Sequence, residues 1–113
     1  MNYRSLLIPV LLALVTTAQL FAQDAAQIDK GKQVYTAQKC ALCHSIAGKG
    51  NKKGTLDDVG SKLSAADIRS WVMDAKTMTA KTKATRQPPM KQFSLPAVDV
   101  DALVAYLSTL KGQ

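Results

Sequence analysis

The chain has 113 residues and a formal net charge of +7, and 47% of its residues are hydrophobic but only 5% aromatic. This length suits one small domain and leaves no room for a second. The basic residues are not interleaved with stacking aromatic residues, which argues against nucleic-acid binding and favours an acidic protein or an anionic membrane face as the partner.

The first 22 residues have the pattern of an export signal. Arg4 supplies a positive start, residues 6–15 are apolar, and several small residues precede the expected cleavage after Ala22. The apolar run is too short to span a bilayer comfortably. We therefore expect residues 1–22 to be a cleaved signal peptide, residues 23–113 to be one domain, and the mature protein to be periplasmic.

The most informative motif follows a predicted helix over residues 28–39. Both cysteines and the only histidine of the chain fall within five consecutive residues, as Cys40, Cys43 and His44. Cys-x-x-Cys-His is the motif of covalent haem attachment, in which each thiol adds to a vinyl group of the porphyrin. The histidine then serves as the proximal ligand of the iron. We expect one haem c with its iron to be held at these three residues.

The remaining elements follow from helical spacing and from breakers. Residues 45–62 are glycine-rich and show no strand alternation, which predicts a loop. Ser64 begins a variant of the capping box and opens a second helix. Residues 76–92 are polar and contain two adjacent prolines, which predicts a non-helical segment. Pro96 begins the last helix and Gly112 ends it. The fold class is therefore all-α, with three or more helices around one haem.

The candidates for a second iron ligand are the methionines, because the chain has no other histidine. Met90 is the preferred candidate, since the two prolines before it hold the ligand segment extended and reduce the entropy lost on ligation. Met78 lies in the same polar segment and is the first alternative. Met73 falls in the second helix, where a role in filling the core is expected. A sixth position without a protein ligand stays open as a further alternative.

From Ile28 to its C-terminus the chain resembles the class I cytochrome c domain. The residues that carry the resemblance are Gly31, Tyr35, Cys40 to His44, Leu56, Gly60, Trp71, Met90 and Tyr106. The resemblance implies a small cytochrome c fold in which the first and last helices cross closely at Gly31 and Tyr106. It also implies that Trp71 borders the haem near a propionate.

Two departures from the family pattern concern the iron ligands. Many relatives have a proline whose carbonyl accepts a hydrogen bond from the proximal histidine, and Gly54 stands at that position here. A backbone carbonyl is still present, but it is expected to be less rigidly held. In many relatives the prolines follow the axial methionine, whereas here they precede Met90, which predicts a different path for the ligand loop.

These observations predict an electron carrier that is not an enzyme and that passes single electrons between redox proteins. The expected partners are acidic redox proteins, with transient contact to a membrane-bound oxidase and no nucleic acid. The protein is expected to be a monomer or a haem subunit of a larger oxidoreductase. The alternatives are a haem protein with a labile or open sixth site for gas binding or peroxide chemistry, and a haem-free thiol pair or half zinc site.

Overall fold

A computed structural model of the chain describes residues 24–112, so the predicted signal peptide lies outside the described residues. Helix α1 covers residues 24–37, so it starts four residues earlier and ends two residues earlier than predicted. It is followed by a two-stranded hairpin and four further helices. These elements are β1 (Ser45–Ile46), β2 (Lys49–Gly50), α2 (Val59–Lys62), α3 (Ala65–Met73), α4 (Ala75–Thr82) and α5 (Ala97–Ser108). None of the helices in residues 24–112 is both long and apolar enough to span a bilayer.

The core forms where α1 and α3 pack against α5. Val34 of α1, Ile68 and Val72 of α3, and Val100, Leu103, Val104 and Leu107 of α5 form one buried cluster. The buried positions of α5 recur at helical spacing, as the sequence predicts. Three residues of this cluster, Ile68, Leu103 and Leu107, also line a cavity on one side of the core.

The predicted starts of α3 and α5 are confirmed. The Ser64 hydroxyl accepts a hydrogen bond from the backbone N–H of Asp67 at 3.1 Å and caps α3. Pro96 stands at the N-cap of α5, where its missing N–H costs nothing. Helix α5 ends at Ser108, four residues before Gly112, so the predicted end was too late.

The predicted loop over residues 45–62 contains short ordered elements. Ser45 pairs with Gly50 and Ile46 with Lys49 in the antiparallel hairpin, although no strand was predicted. A 3-10 turn over Lys52–Gly54 and the short helix α2 follow. Strands of two residues are too short to show any alternation of apolar and polar residues, so they could not be predicted.

Helix α4 corrects the prediction of a non-helical segment over residues 76–92. Ala75 and Met78, one turn apart, are 0% and 7% exposed and anchor this helix. The two prolines constrain only the residues next to them and leave the helix six residues upstream free to form. The expectation that Met73 fills the core was also wrong, since it is 37% exposed at the end of α3.

Candidate haem-binding site

A cavity of about 680 Å³ opens between α3, α5 and two long connecting segments, residues 38–63 and 84–95. Cys40, Cys43, His44 and Met90 all line it, although they come from segments almost fifty residues apart. Its other walls are mainly apolar, including Leu56, Leu63, Ile68, Phe93, Leu103 and Leu107. Volume and lining are those of a pocket for a large apolar cofactor with a few placed polar groups.

The two cysteines are held by a tight turn. Cys40–Leu42 form a single 3-10 turn that begins after Lys39, whose backbone is left-handed with φ of 57°. The Cys40 carbonyl accepts hydrogen bonds from the backbone N–H groups of Cys43 and His44 at 3.1 and 2.9 Å. Burial raises the pKa of the Cys40 thiol, while the charge of Lys91 acts in the opposite direction. The turn thus fixes both thiols and the imidazole relative to one another.

The His44 imidazole is oriented by a backbone carbonyl. Its Nδ1 atom lies 3.0 Å from the carbonyl oxygen of Gly54, which can only accept, so the proton of the neutral ring is on Nδ1. This leaves Nε2 free to bind a metal. Burial lowers the pKa of His44, the bond to Gly54 opposes that effect, and the positive charge of Arg86 adds to it. The carbonyl at Gly54 therefore fulfils the role expected from the family pattern.

Asn51 is a positioning residue that the sequence analysis missed. Its backbone N–H donates to the carbonyls of Ala41 and His44 at 3.1 and 2.9 Å. Its side-chain amide donates to the Leu42 carbonyl at 3.3 Å and accepts from Lys53 N–H at 3.1 Å. Its carbonyl also accepts from the N–H of Gly54 at 3.1 Å. Asn51 thereby ties the attachment turn to the carbonyl that holds His44.

The three candidate methionines are placed differently. Met90 is half-buried and lines the cavity together with His44. Met78 is buried on the core side of α4 and is not among the residues lining this cavity. Met73 is exposed on the surface and is also outside the wall. Among the described residues, only Met90 is a methionine in position to approach a group bound in the cavity.

Trp71 and Tyr35 complete the wall. Trp71 also borders a smaller depression beside Asp57, Asp58 and Lys62. The Tyr35 hydroxyl is buried and has no hydrogen-bond partner among the described residues. Burial, with a smaller contribution from the neighbouring Cys40, raises the pKa of Tyr35 to about 12. Trp71 lies in the cavity wall, as the resemblance implies, and its position near a haem propionate stays a prediction.

The residues present fit a covalently attached haem. Two thiols sit at the attachment spacing, one imidazole nitrogen is free, and the wall is apolar with a thioether in it. A structural zinc site needs four ligands, and within residues 24–112 no group of three or more His, Cys, Asp or Glu side chains could hold a metal ion. The half zinc site therefore finds no support.

This arrangement is that of a small helical domain with a pocket that fits a covalently attached haem. Comparison with protein families agrees, because the family described as Cytochrome c matches residues 28–111. The chain belongs to the cytochrome c family, whose members bind covalently attached haem c and carry electrons. Comparisons with curated proteins and with solved structures found no match.

Proposed function

We propose that the protein is a periplasmic carrier of single electrons in which His44 and Met90 are the two axial ligands of the haem iron. The observation that carries this proposal is that Cys40, Cys43, His44 and Met90 line one apolar cavity. The bound haem supplies a one-electron iron couple. With both axial positions taken by protein side chains, the site has no open position for substrate, which favours a carrier over an enzyme.

Each ligand is supported in a way that suits rapid electron transfer. His44 is held by the Gly54 carbonyl, and Gly54 is in turn held by Asn51. Met90 follows Pro88 and Pro89, whose rings restrict the backbone before any ligand binds. Because little has to move around the iron, the reorganisation that accompanies gain or loss of an electron is expected to be small.

Replacement of Met90 tests the axial assignment. The oxidised holoprotein is expected to show the weak far-red absorption band of sulfur-to-iron ligation, and Met90→Ala is expected to lose it and to bind carbon monoxide when reduced. Met78→Leu keeps the core filled and is the matched control that retains the band. Persistence of the band in Met90→Ala would assign the ligand elsewhere. A wild-type protein that binds carbon monoxide readily would favour the open-site alternative.

Partner recognition is proposed to rest on positive charge around the cavity. Lys53 and Arg86 line the cavity, and Lys91 lies 4.9 Å from the centre of the Phe93 ring, which also lines it. By contrast, Lys30, Lys32 and Arg69 form the three ion pairs of the described residues, so an aspartate partly neutralises each of these charges. An acidic redox protein would therefore be steered toward the cavity side of the molecule.

Two variants that each remove one positive charge, one at the cavity and one away from it, test this proposed docking surface. We expect Lys53→Gln to slow electron exchange with a purified blue-copper protein of net negative charge more than Lys111→Gln does. Lys111 is exposed after α5 and outside the cavity wall, so the two variants lose the same charge at different places. The difference should shrink as salt rises, because exposed charges are screened. Equal rates for the two variants at low salt would contradict the proposed docking side.

Export is proposed from the leader pattern. Fractionation of a strain that attaches haem should place the mature protein in the periplasm with a new N-terminus near residue 23. Recovery in the cytoplasm with an intact N-terminus would contradict the proposed location.

A further inference from the structure

Arg86 connects the segment that carries Met90 to the haem-attachment turn. It lies four residues before Met90, and its guanidinium donates a hydrogen bond to the Cys43 carbonyl oxygen across 43 residues of sequence. The same side chain lines the cavity. This is a direct link, among the described residues, between the proposed sixth-ligand segment and the backbone that precedes His44.

The guanidinium occupies the space that a side chain at position 54 would need. A Cβ built on Gly54 would collide with the Arg86 Nη1 atom and with the Cys43 carbonyl oxygen. A proline, which is common at this position in the family, would place its own Cβ in the same volume. The absence of a side chain at Gly54 thus makes room for Arg86, and the arginine covers the residue whose carbonyl holds His44.

The positive charge of Arg86 lies close to the His44 side of the site. Its guanidinium donates to the carbonyl of Cys43, the residue before His44, and lies beside Gly54, where a Cβ at that position would stand. A fixed positive charge stabilises the iron state of lower positive charge, which is the reduced one. Arg86 itself is exposed, so the effect is moderated by solvent and is expected to weaken with salt.

We propose that Arg86 is a positioning residue that clamps the Met90 segment to the attachment turn, keeps the Gly54 carbonyl on His44, and raises the reduction potential. It replaces the rigidity that a proline at position 54 gives in relatives. This inference rests on the proposed ligation by His44. A planar guanidinium suits the role because it places several donors in fixed directions, whereas lysine offers one mobile charge.

Two substitutions separate charge from geometry in the mature, haem-loaded protein. Arg86→Gln loses the charge and, because its side chain is shorter, also the hydrogen bond to the Cys43 carbonyl, whereas Arg86→Lys keeps the charge but loses the guanidinium Nη donor. Lys81→Gln removes one exposed charge from α4 and serves as the matched control. The readouts are the reduction potential at low and high salt and the exchange rate of the His44 Nδ1 proton by nuclear magnetic resonance.

The potential is expected to fall in Arg86→Gln, to stay near the wild-type value in Arg86→Lys, and to change less in Lys81→Gln. Proton exchange at His44 is expected to accelerate in both Arg86 variants by roughly fivefold, the order of factor that one lost hydrogen bond produces. The inference is overturned if Arg86→Gln lowers the potential no more than Lys81→Gln or if exchange is unchanged. Failure of the proposed ligation is a separate result, because it would appear in the wild-type spectrum.

Discussion

Gly31 of α1 lies directly against Tyr106 of α5. A Cβ built on Gly31 would stand 2.6 Å from the Tyr106 Cβ and would also collide with the backbone of Ala102. The next turn of α1 continues the contact, since the rings of Tyr35 and Tyr106 meet edge to face at 6.3 Å between centres. The helix crossing implied by the family resemblance is confirmed, and its closeness depends on the missing side chain of Gly31.

Gly31→Ala is therefore expected to destabilise the holoprotein. In an exposed helix the same change would stabilise by about 0.5–1 kcal/mol, but here the added methyl meets backbone that cannot move aside. We expect a net loss of about 1–3 kcal/mol, the usual cost of overpacking, in denaturant unfolding. Gln33→Ala, at an exposed position of the same helix, is the control and should be neutral or slightly stabilising. A stabilised Gly31→Ala would show that the helices are not in close contact.

Substitutions of Asn51 are expected to destabilise the haem-attachment turn by graded amounts. Asn51→Ala removes the side-chain bonds to Leu42 and Lys53 and is expected to cost about 1–2 kcal/mol of unfolding free energy. Asn51→Asp keeps the acceptor for the Lys53 N–H but loses the donor to Leu42. Its unfolding free energy should therefore lie between those of wild type and Asn51→Ala. Equal stability of all three proteins would mean that the turn is held by its backbone bonds alone.

The sequence predicts the parts of this site that are close along the chain. Cys40, Cys43 and His44 form a local motif, and the helical spacing of α3 and α5 shows in the apolar pattern. The roles of Asn51 and Arg86 could not be predicted, because each acts through contacts to backbone carbonyls that local periodicity does not report. Helix α4 was missed because its inward face offers only Ala75 and Met78, a weak apolar signal among threonines and lysines.

The haem-free polypeptide is expected not to fold stably. Without haem, the mainly apolar wall of the 680 Å³ cavity would be exposed to water, and a small domain has little stability to offset that exposure. The chain will collapse or stay unfolded rather than keep such a cavity. A Cys40→Ala/Cys43→Ala protein, purified without haem, should show little helical circular dichroism and no cooperative thermal transition. A cooperative transition near that of the holoprotein would show that the core is sufficient without haem.

The raised pKa of Tyr35 is expected to make the free energy of unfolding depend on pH in the alkaline range. Its pKa is raised to about 12 in the folded protein, mainly by burial, whereas an unfolded tyrosine has a pKa near 10. The unfolded chain therefore loses this proton first as pH rises. The contribution of Tyr35 to stability is complete below about pH 10 and is lost progressively as pH rises toward 12.

Tyr35→Phe isolates this contribution, because phenylalanine keeps the ring against Tyr106 and removes the ionisable hydroxyl. The hydroxyl has no partner among residues 24–112, so its removal should change stability little at pH 7. Between pH 10 and 12 the unfolding free energy of the variant should fall less steeply than that of wild type. Loss of an axial ligand at high pH affects both proteins alike, so their difference reports Tyr35. Parallel pH profiles would show that this phenol titrates normally in the folded protein.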